Sequence, residues 1–336
     1  MKKVIKFLFS VAVILVVFGA SLMVFSACNL SNYEIKTHDI VDEFSGIFIN
    51  SDTADIAFAK AEDGKTKVVC CEKDKIDFSV AVEDGSLNIK IIDNRKWFEK
   101  IFDWGDDKIT VSLPQDVYGT LTIKNATGDI LVPKDFTFKK IDITASTGDV
   151  NCLASSMDST NIKTTTGDIT VAVEDNEKIL AGELYLFVST GKVKVSNVDC
   201  TGVFKVKVST GKVILNNITC DAFGSSGSTG NISITNLNCT QSFEIERSTG
   251  DVTMTNCIAG KIDIDTDTGD VKFNECDANE IVVETDTGSV KGSLLSGKNF
   301  FVETDTGKTV YPKDSTGGRC QIETDTGNIE ISIVNK

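Results

Sequence analysis

Beyond about residue 40, apolar and polar positions alternate with a period of two, and the alternation breaks at one recurring dipeptide. A Thr-Gly pair recurs with glycine at Gly128, Gly148, Gly167, Gly191, Gly211, Gly230, Gly250, Gly269, Gly288, Gly307 and Gly327. The successive spacings are 20, 19, 24, 20, 19, 20, 19, 19, 19 and 20, and the polar insertion Glu174–Lys178 accounts for the 24. Two residues after the glycine stands a β-branched side chain in every copy, from Ile130 and Val150 through Thr309 to Ile329. Five before it lie Ile123, Ile143, Ile162 and their counterparts, with Ser225 among them. Seven before it come large fillers such as Leu121, Phe204, Phe223, Phe243 and Phe300. Period-two patterning on both sides of a glycine reads as two short, half-buried strands per copy.

The parity of these positions changes at the dipeptide. If one straight strand continued through it, the inward positions seven and five before the glycine would put the first and third residues after it inside. The second and fourth are mostly apolar instead, so the chain bends or bulges at Thr-Gly. Glycine suits a corner that needs φ > 0 or leaves no room for Cβ.

Two folds fit such a repeat. An antiparallel meander would use Thr-Gly as a type I′ hairpin turn, which puts both central residues at φ > 0 and disfavours the β-branched threonine. A solenoid makes each copy one coil, stacked about 4.8 Å above the last, so that like residues form ladders. A threonine in every copy and columns of β-branched and phenylalanine side chains are what stacking rewards. A propeller blade needs roughly twice this period. The expected fold is all-β: a parallel β-solenoid (β-helix) of about eleven 19–20 residue coils over residues 121–336, with a β-rich amino-terminal cap over 40–120. Ile47–Ile56 reads as one more repeat with Ala54 in the glycine place, followed by strand-like stretches at Thr66–Cys70, Ser86–Ile92 and Ile109–Leu113. Trp97–Trp104 carries apolar residues at near-helical spacing and reads as the plug of the cap. The last rung is expected to be covered by the irregular Pro312–Arg319 stretch or to pair with another chain.

The amino terminus has a different pattern. Lys2, Lys3 and Lys6 precede an uncharged stretch from Phe7 to Ala27. Its length of about 31 Å as a helix matches the bilayer core of about 30 Å. It predicts one amino-terminal membrane helix over 7–27, a cytoplasmic stub over 1–6, a linker over 28–39 and everything later outside the cell membrane. The alternative is a lipoprotein signal, in which Cys28 after Phe25-Ser26-Ala27 is the lipidation candidate and the protein is lipid-anchored.

Charge and composition narrow the function. A formal net charge of −15 argues against nucleic acid, which needs a cationic face. His38 is the only histidine, which removes histidine-dependent nucleophilic triads and multi-histidine zinc sites. Cys200, Cys220, Cys239, Cys257 and Cys276 fall one per coil and predict a buried ladder of free thiols, with disulfides between neighbouring rungs as the alternative; the paired C-x-x-C spacing of a metal site is absent. Asp267, Asp286, Asp305 and Asp325 each open an Asp-Thr-Gly triplet. Aspartic-protease chemistry uses two such loops whose aspartates share a proton, whereas these four are continuous with the Ser-Thr-Gly copies upstream. Stacked, the four aspartates are calcium candidates, because like charges about 5 Å apart repel by roughly 0.8 kcal/mol per pair even in water. Residues just after the glycine vary in sign, including Asp129, Lys192, Asp251 and Lys308, and predict neutralisation between rungs.

Units such as Ser248-Thr249-Gly250-Asp251-Val252 and Asp267-Thr268-Gly269-Asp270-Val271, arrayed eleven-fold behind one amino-terminal apolar segment, resemble the bacterial putative-adhesin β-strand-repeat family of unknown function. The resemblance covers about residues 40–334 and implies a β-helical surface domain with no catalytic residues to carry over. The expected function is a membrane-anchored, non-enzymatic binding, adhesion or envelope-sensing module, with no cofactor and an extracellular ligand such as a glycan, envelope polymer or protein. The alternative is a polysaccharide-acting β-helix enzyme, by analogy with other parallel β-helices.

Overall fold

The computed structural model describes residues 33–73, 76–93 and 107–334. The expected membrane helix over 7–27, Cys28 and the Trp97–Trp104 stretch lie outside the described residues. Within them the chain is all strand and turn, with no helix.

The strands form a parallel β-solenoid of about eleven turns. Thr137–Thr147 lies between Val117–Thr127 and Ser155–Thr166, all parallel, with Ile143 level with Ile123 and Ile162. Past the corner, Val150–Cys152 lies likewise between Ile130–Val132 and Ile169–Ala172. The corner threonines run in one row, Thr190, Thr210, Thr229, Thr249, Thr268 and Thr287. Inside, the residues seven, five and three before the glycine, and two and four after it, make most of the core of the inner rungs. Phe204, Phe223 and Phe243 stack with ring centroids 5.3 and 4.9 Å apart.

Close stacking explains the glycine column. A Cβ built on Gly230 would lie 1.9 Å from the carbonyl oxygen of Gly211, and one on Gly250 would lie 2.3 Å from that of Gly230. From Gly128 to Gly250 the φ angle is also positive; at Gly269, Gly288, Gly307 and Gly327 only the steric reason applies. The residue after the glycine does more than balance charge. Asp129 Oδ1 accepts from the Asp149 amide at 2.8 Å, Asp149 from Asp168 at 2.8 Å, and Asp168 from Lys192 at 2.7 Å. Charge pairing between rungs is present as well, as in Lys192 with Asp168 at 2.8 Å.

A second corner lies six residues after the glycine. Asn197, Asn217, Asn236, Asn256 and Glu275 adopt left-handed φ between 51° and 60°. Asparagine tolerates this conformation better than most residues, and its amide bonds locally. Here it also bonds to the next rung: Asn217 Nδ2 donates to Asn197 Oδ1 at 2.6 Å. Beyond this corner a third short face begins, and it splits the cysteines. Cys239 pairs with Cys220 across neighbouring strands, whereas Cys257 comes one residue before Ile258, which pairs with Asn238. Cys257 and Cys276 therefore stand level with Leu237, two places earlier than Cys200, Cys220 and Cys239. All five thiols are buried and free, in two columns.

Both ends depart from sequential stacking. At the amino end Gly46–Ser51 sits between Ser86–Asp93 and Val117–Thr127, so the later segment lies outside the earlier one. Antiparallel strands cover this end: Tyr33–Ile40 pairs with Thr66–Lys73, and Ile76–Glu83 with Ser86–Asp93. At the carboxyl end Gly318–Thr326 pairs with both Val271–Thr287 and Lys298–Thr306. The last repeat thus slots between its two predecessors, and Lys298–Thr306 is outermost. The jump outward is held by Lys298, 2% exposed, whose Nζ lies 2.5 Å from both Asp277 Oδ1 and Ser296 Oγ. This order places the poorest core outside. The outer repeat carries Thr309 where the inserted one carries the fully buried Ile329.

Candidate binding face

The strand before each Thr-Gly turns alternate side chains outward, and these make a ladder along one face of the solenoid. Glu246, Asp265, Glu284, Glu323 and Glu303 are level in successive rungs and all exposed. The four calcium candidates stand two residues further on, beside this column. Their flanking threonines fix the order Asp267, Asp286, Asp325, Asp305, because Thr326 pairs with both Thr287 and Thr306. Sequential stacking would have reversed the last two. All four are exposed, and among the described residues no group of three or more His, Cys, Asp or Glu side chains is placed to hold a metal.

The upstream half of the same face has the opposite character. The position of Glu246 is taken there by Lys124, Lys163, Phe187 and Lys207 in the Gly128, Gly167, Gly191 and Gly211 rungs. A shallow cleft of about 460 Å³ marks the boundary, lined by Phe187, Lys205 and Lys207 on one side and Glu244, Glu246 and Asp265 on the other. Partial burial, then the charges of Asp267, Glu246, Asp286 and Asp263, raise the Asp265 carboxyl above its ordinary 3.8. Lys261 answers Asp263 at 2.7 Å.

Three features escape a reading restricted to the strongest columns. The acidic column four residues before the glycine is regular in the sequence, as is the asparagine column six after it. The third is Arg247, which takes a core position three before its glycine and is 2% exposed. Its Nη1 donates to the Val208 carbonyl two rungs below at 2.9 Å, Nη2 reaches Ser225 Oγ at 3.4 Å, and Nε has no partner. The guanidinium fills the space above Gly227, where a Cβ would fall 2.0 Å from Nη1. Ser225 and Gly227, odd residues for a core, are thus the counterparts of one buried cation.

The remaining candidates are scaffold or peripheral in placement. Burial pushes the Cys152 and Cys320 thiols up to about 12 and Cys200 to about 11. Cys239 is raised as well, first by the Cys220 thiol beside it, with Sγ atoms 3.2 Å apart, and then by burial. His38 lies in the antiparallel cap strand, with Nε2 buried and unbonded. A cleft of about 650 Å³ opens in the cap beside Val41, Glu43, Phe44, Lys65 and Tyr118.

Parallel coils, a glycine corner in each rung and a laddered outer face define a repeat-built β-solenoid. The chain belongs to the Toastrack DUF4097 family, whose sequence model matches residues 44–222 and 219–336. No curated protein matches it. Among solved structures it is similar to a putative adhesin from Bacteroides fragilis, at 18% identity over 77% of this chain and 97% of that one, with a TM-score of 0.43. It is also similar to a putative lipid binding protein from Parabacteroides distasonis, at 15% identity over 90% and 98% with a TM-score of 0.36. A putative adhesin from Parabacteroides merdae matches at 10% identity over 90% and 97%, with a TM-score of 0.29.

Proposed function

We propose that the chain is a non-enzymatic surface module, anchored through its amino-terminal segment, which binds an extended extracellular ligand along the outer face of the strands before Thr-Gly. The observation that carries this reading is the sorting of charge on that face. Five level carboxylates flanked by the column of Asp267, Asp286, Asp325 and Asp305 follow a stretch bearing lysines and Phe187. Scaffold needs do not call for this arrangement, since stacked like charges oppose folding. A flat ladder of fixed spacing suits a repeating or elongated partner. Its acidic half favours cationic groups, as on an amino-bearing envelope polymer or a basic protein segment.

The experiment is a binding screen of glycans, envelope polymers and proteins on the full chain, with and without calcium. Binding without turnover, weakened when Glu246 and Glu284 are changed to Gln, supports the module. Release of product from a polysaccharide would overturn it in favour of an enzyme. Retained affinity in the Gln variants would move the site off this face.

A further inference from the structure

We propose that two copies of the chain join tip to tip through the strand Lys298–Thr306, as an antiparallel pair centred on Val302. This strand is outermost: it pairs with Gly318–Thr326 on one side, and among the described residues no strand lies on the other. The amino end is covered by antiparallel strands, so the two ends differ in kind. Core positions at the open tip are also left incomplete. Phe300, Val302 and Tyr311 are only partly buried, whereas Ile281 and Val283 at the matching positions inside are 0% and 1% exposed. Phe301 and Val310 are 59% and 62% exposed. An open, apolar sheet edge is a template for another strand.

The geometry points to a second copy, and full overlap of Lys298–Thr306 without facing carboxylates points to one register. The Thr306 carbonyl accepts from the Gly327 amide at 3.0 Å, and in an L-chain residues whose side chains share a face share a backbone direction. Outward-facing Asn299, Phe301 and Glu303 therefore turn their backbone groups inward to the neighbouring strand, as Lys261 does in its rung by donating to the Gln241 carbonyl at 2.9 Å. Phe300, Val302 and Thr304 turn theirs outward, because backbone direction alternates along a strand. Self-pairing must therefore match even residues with even. Stacking copies in parallel would set Glu303 on Glu303 and Asp305 on Asp305, as would any partner repeating the acidic columns. Antiparallel pairing centred on Glu303 has the same fault. Centring on Val302 sets Glu303 opposite Phe301 and Asp305 opposite Asn299, with no carboxylate facing another. Glu303 of the second copy then approaches Arg319, which lies over the Phe301 ring at 5.6 Å. A two-fold axis normal to the sheet keeps Phe300 and Val302 of both copies on the inner side, so one core continues through the joint. On the anchored reading above, the pair holds its two amino ends at opposite extremities of one rod, which would bridge two surfaces. The assay reads pairing alone, so its failure leaves that reading untouched.

The full chain, in mild detergent at micromolar concentration, is expected to sediment as a dimer. Val302→Pro removes the outward amide at the axis while sparing the bonds to Gly318–Thr326, and should give monomer with unchanged circular dichroism. Val302→Cys places two thiols across the axis and should cross-link under mild oxidation, several-fold more than Val117→Cys, an exposed site far from the tip. A wild-type monomer at tens of micromolar, a dimer that persists in Val302→Pro, or equal cross-linking of the two cysteine variants overturns the proposal.

Discussion

The glycine column gives the sharpest test of the fold, and Gly230 and Gly224 provide it within one rung. Gly230 is a corner residue at φ 130°, and an added Cβ would meet the Gly211 carbonyl oxygen at 1.9 Å and its carbon at 2.6 Å. Gly224 faces outward, and the nearest atom to its Cβ is Lys205 Cγ at 3.8 Å. Gly230→Ala thus incurs backbone strain of about 1–3 kcal/mol. It must also spread two rungs by more than an ångström. That loosens the bonds flanking the corner, Gly230 N to Thr249 O at 2.8 Å, Gly211 N to Thr229 O at 2.9 Å and Val213 N to Asn231 O at 3.1 Å. Each contributes about 0.5–1.5 kcal/mol net, and losing about half of that at the three bonds, added to the strain, gives a total loss of about 2–5 kcal/mol. Gly224→Ala should be neutral or stabilising by about 0.4–1 kcal/mol, through the entropy of the unfolded chain. Urea unfolding followed by circular dichroism measures both. Hydrogen exchange at the Val213 and Ile232 amides localises the damage, which matters because solenoids can unfold rung by rung. If the two variants fell within about 1 kcal/mol of each other, the steric account of the corner would be wrong.

Two further perturbations address the charges. Arg247 is buried with two hydrogen bonds, an unbonded Nε and no carboxylate, and burial lowers its pKa; burying an ion costs several kcal/mol. Arg247→Met, which can still fill the space above Gly227, is expected to stabilise by about 1–3 kcal/mol, and a loss in thermal unfolding would refute this. Asp265 has a raised folded-state pKa, first through burial and then through its acidic neighbours. Its contribution to stability is present below the ordinary carboxylate range and disappears as pH rises through the raised value. Asp265→Asn should therefore raise the melting temperature at pH 7 and not at pH 3. Millimolar calcium should also raise it at pH 7 if the adjoining aspartate column takes the ion; no shift against chelator removes the calcium candidates.

Much of this molecule is written in a nineteen- to twenty-residue period. Equal spacing of a threonine, a glycine and β-branched residues requires parallel, in-register coils, since only then do like side chains meet, and the parity change located the corner. Columns at other fixed offsets were equally regular but chemically plainer. The Asn197–Asn256 series signals a second left-handed corner, and Ser225 with Gly227 signals a cavity that Arg247 fills from the next rung. That last relation is not legible locally, because the partner lies twenty residues away and points down the axis. Even spacing of the cysteines suggested one column, but the corner at Asn256 comes directly before Cys257, whereas Asn236 comes three residues before Cys239, and the thiols separate.

The sequence by itself determined the coil, its corner and the direction in which strands pair, because these follow from patterns repeated within each twenty residues. It did not determine which rung lies on which at the two ends. Near-identical repeats are interchangeable neighbours, so every stacking order offers similar backbone bonds. Tertiary structure decided it by burial: the repeat with Ile322 and Ile329 went inside, and the one with Thr309 and Val310 went to the open tip. That choice set the order of the acidic columns and left one strand edge free.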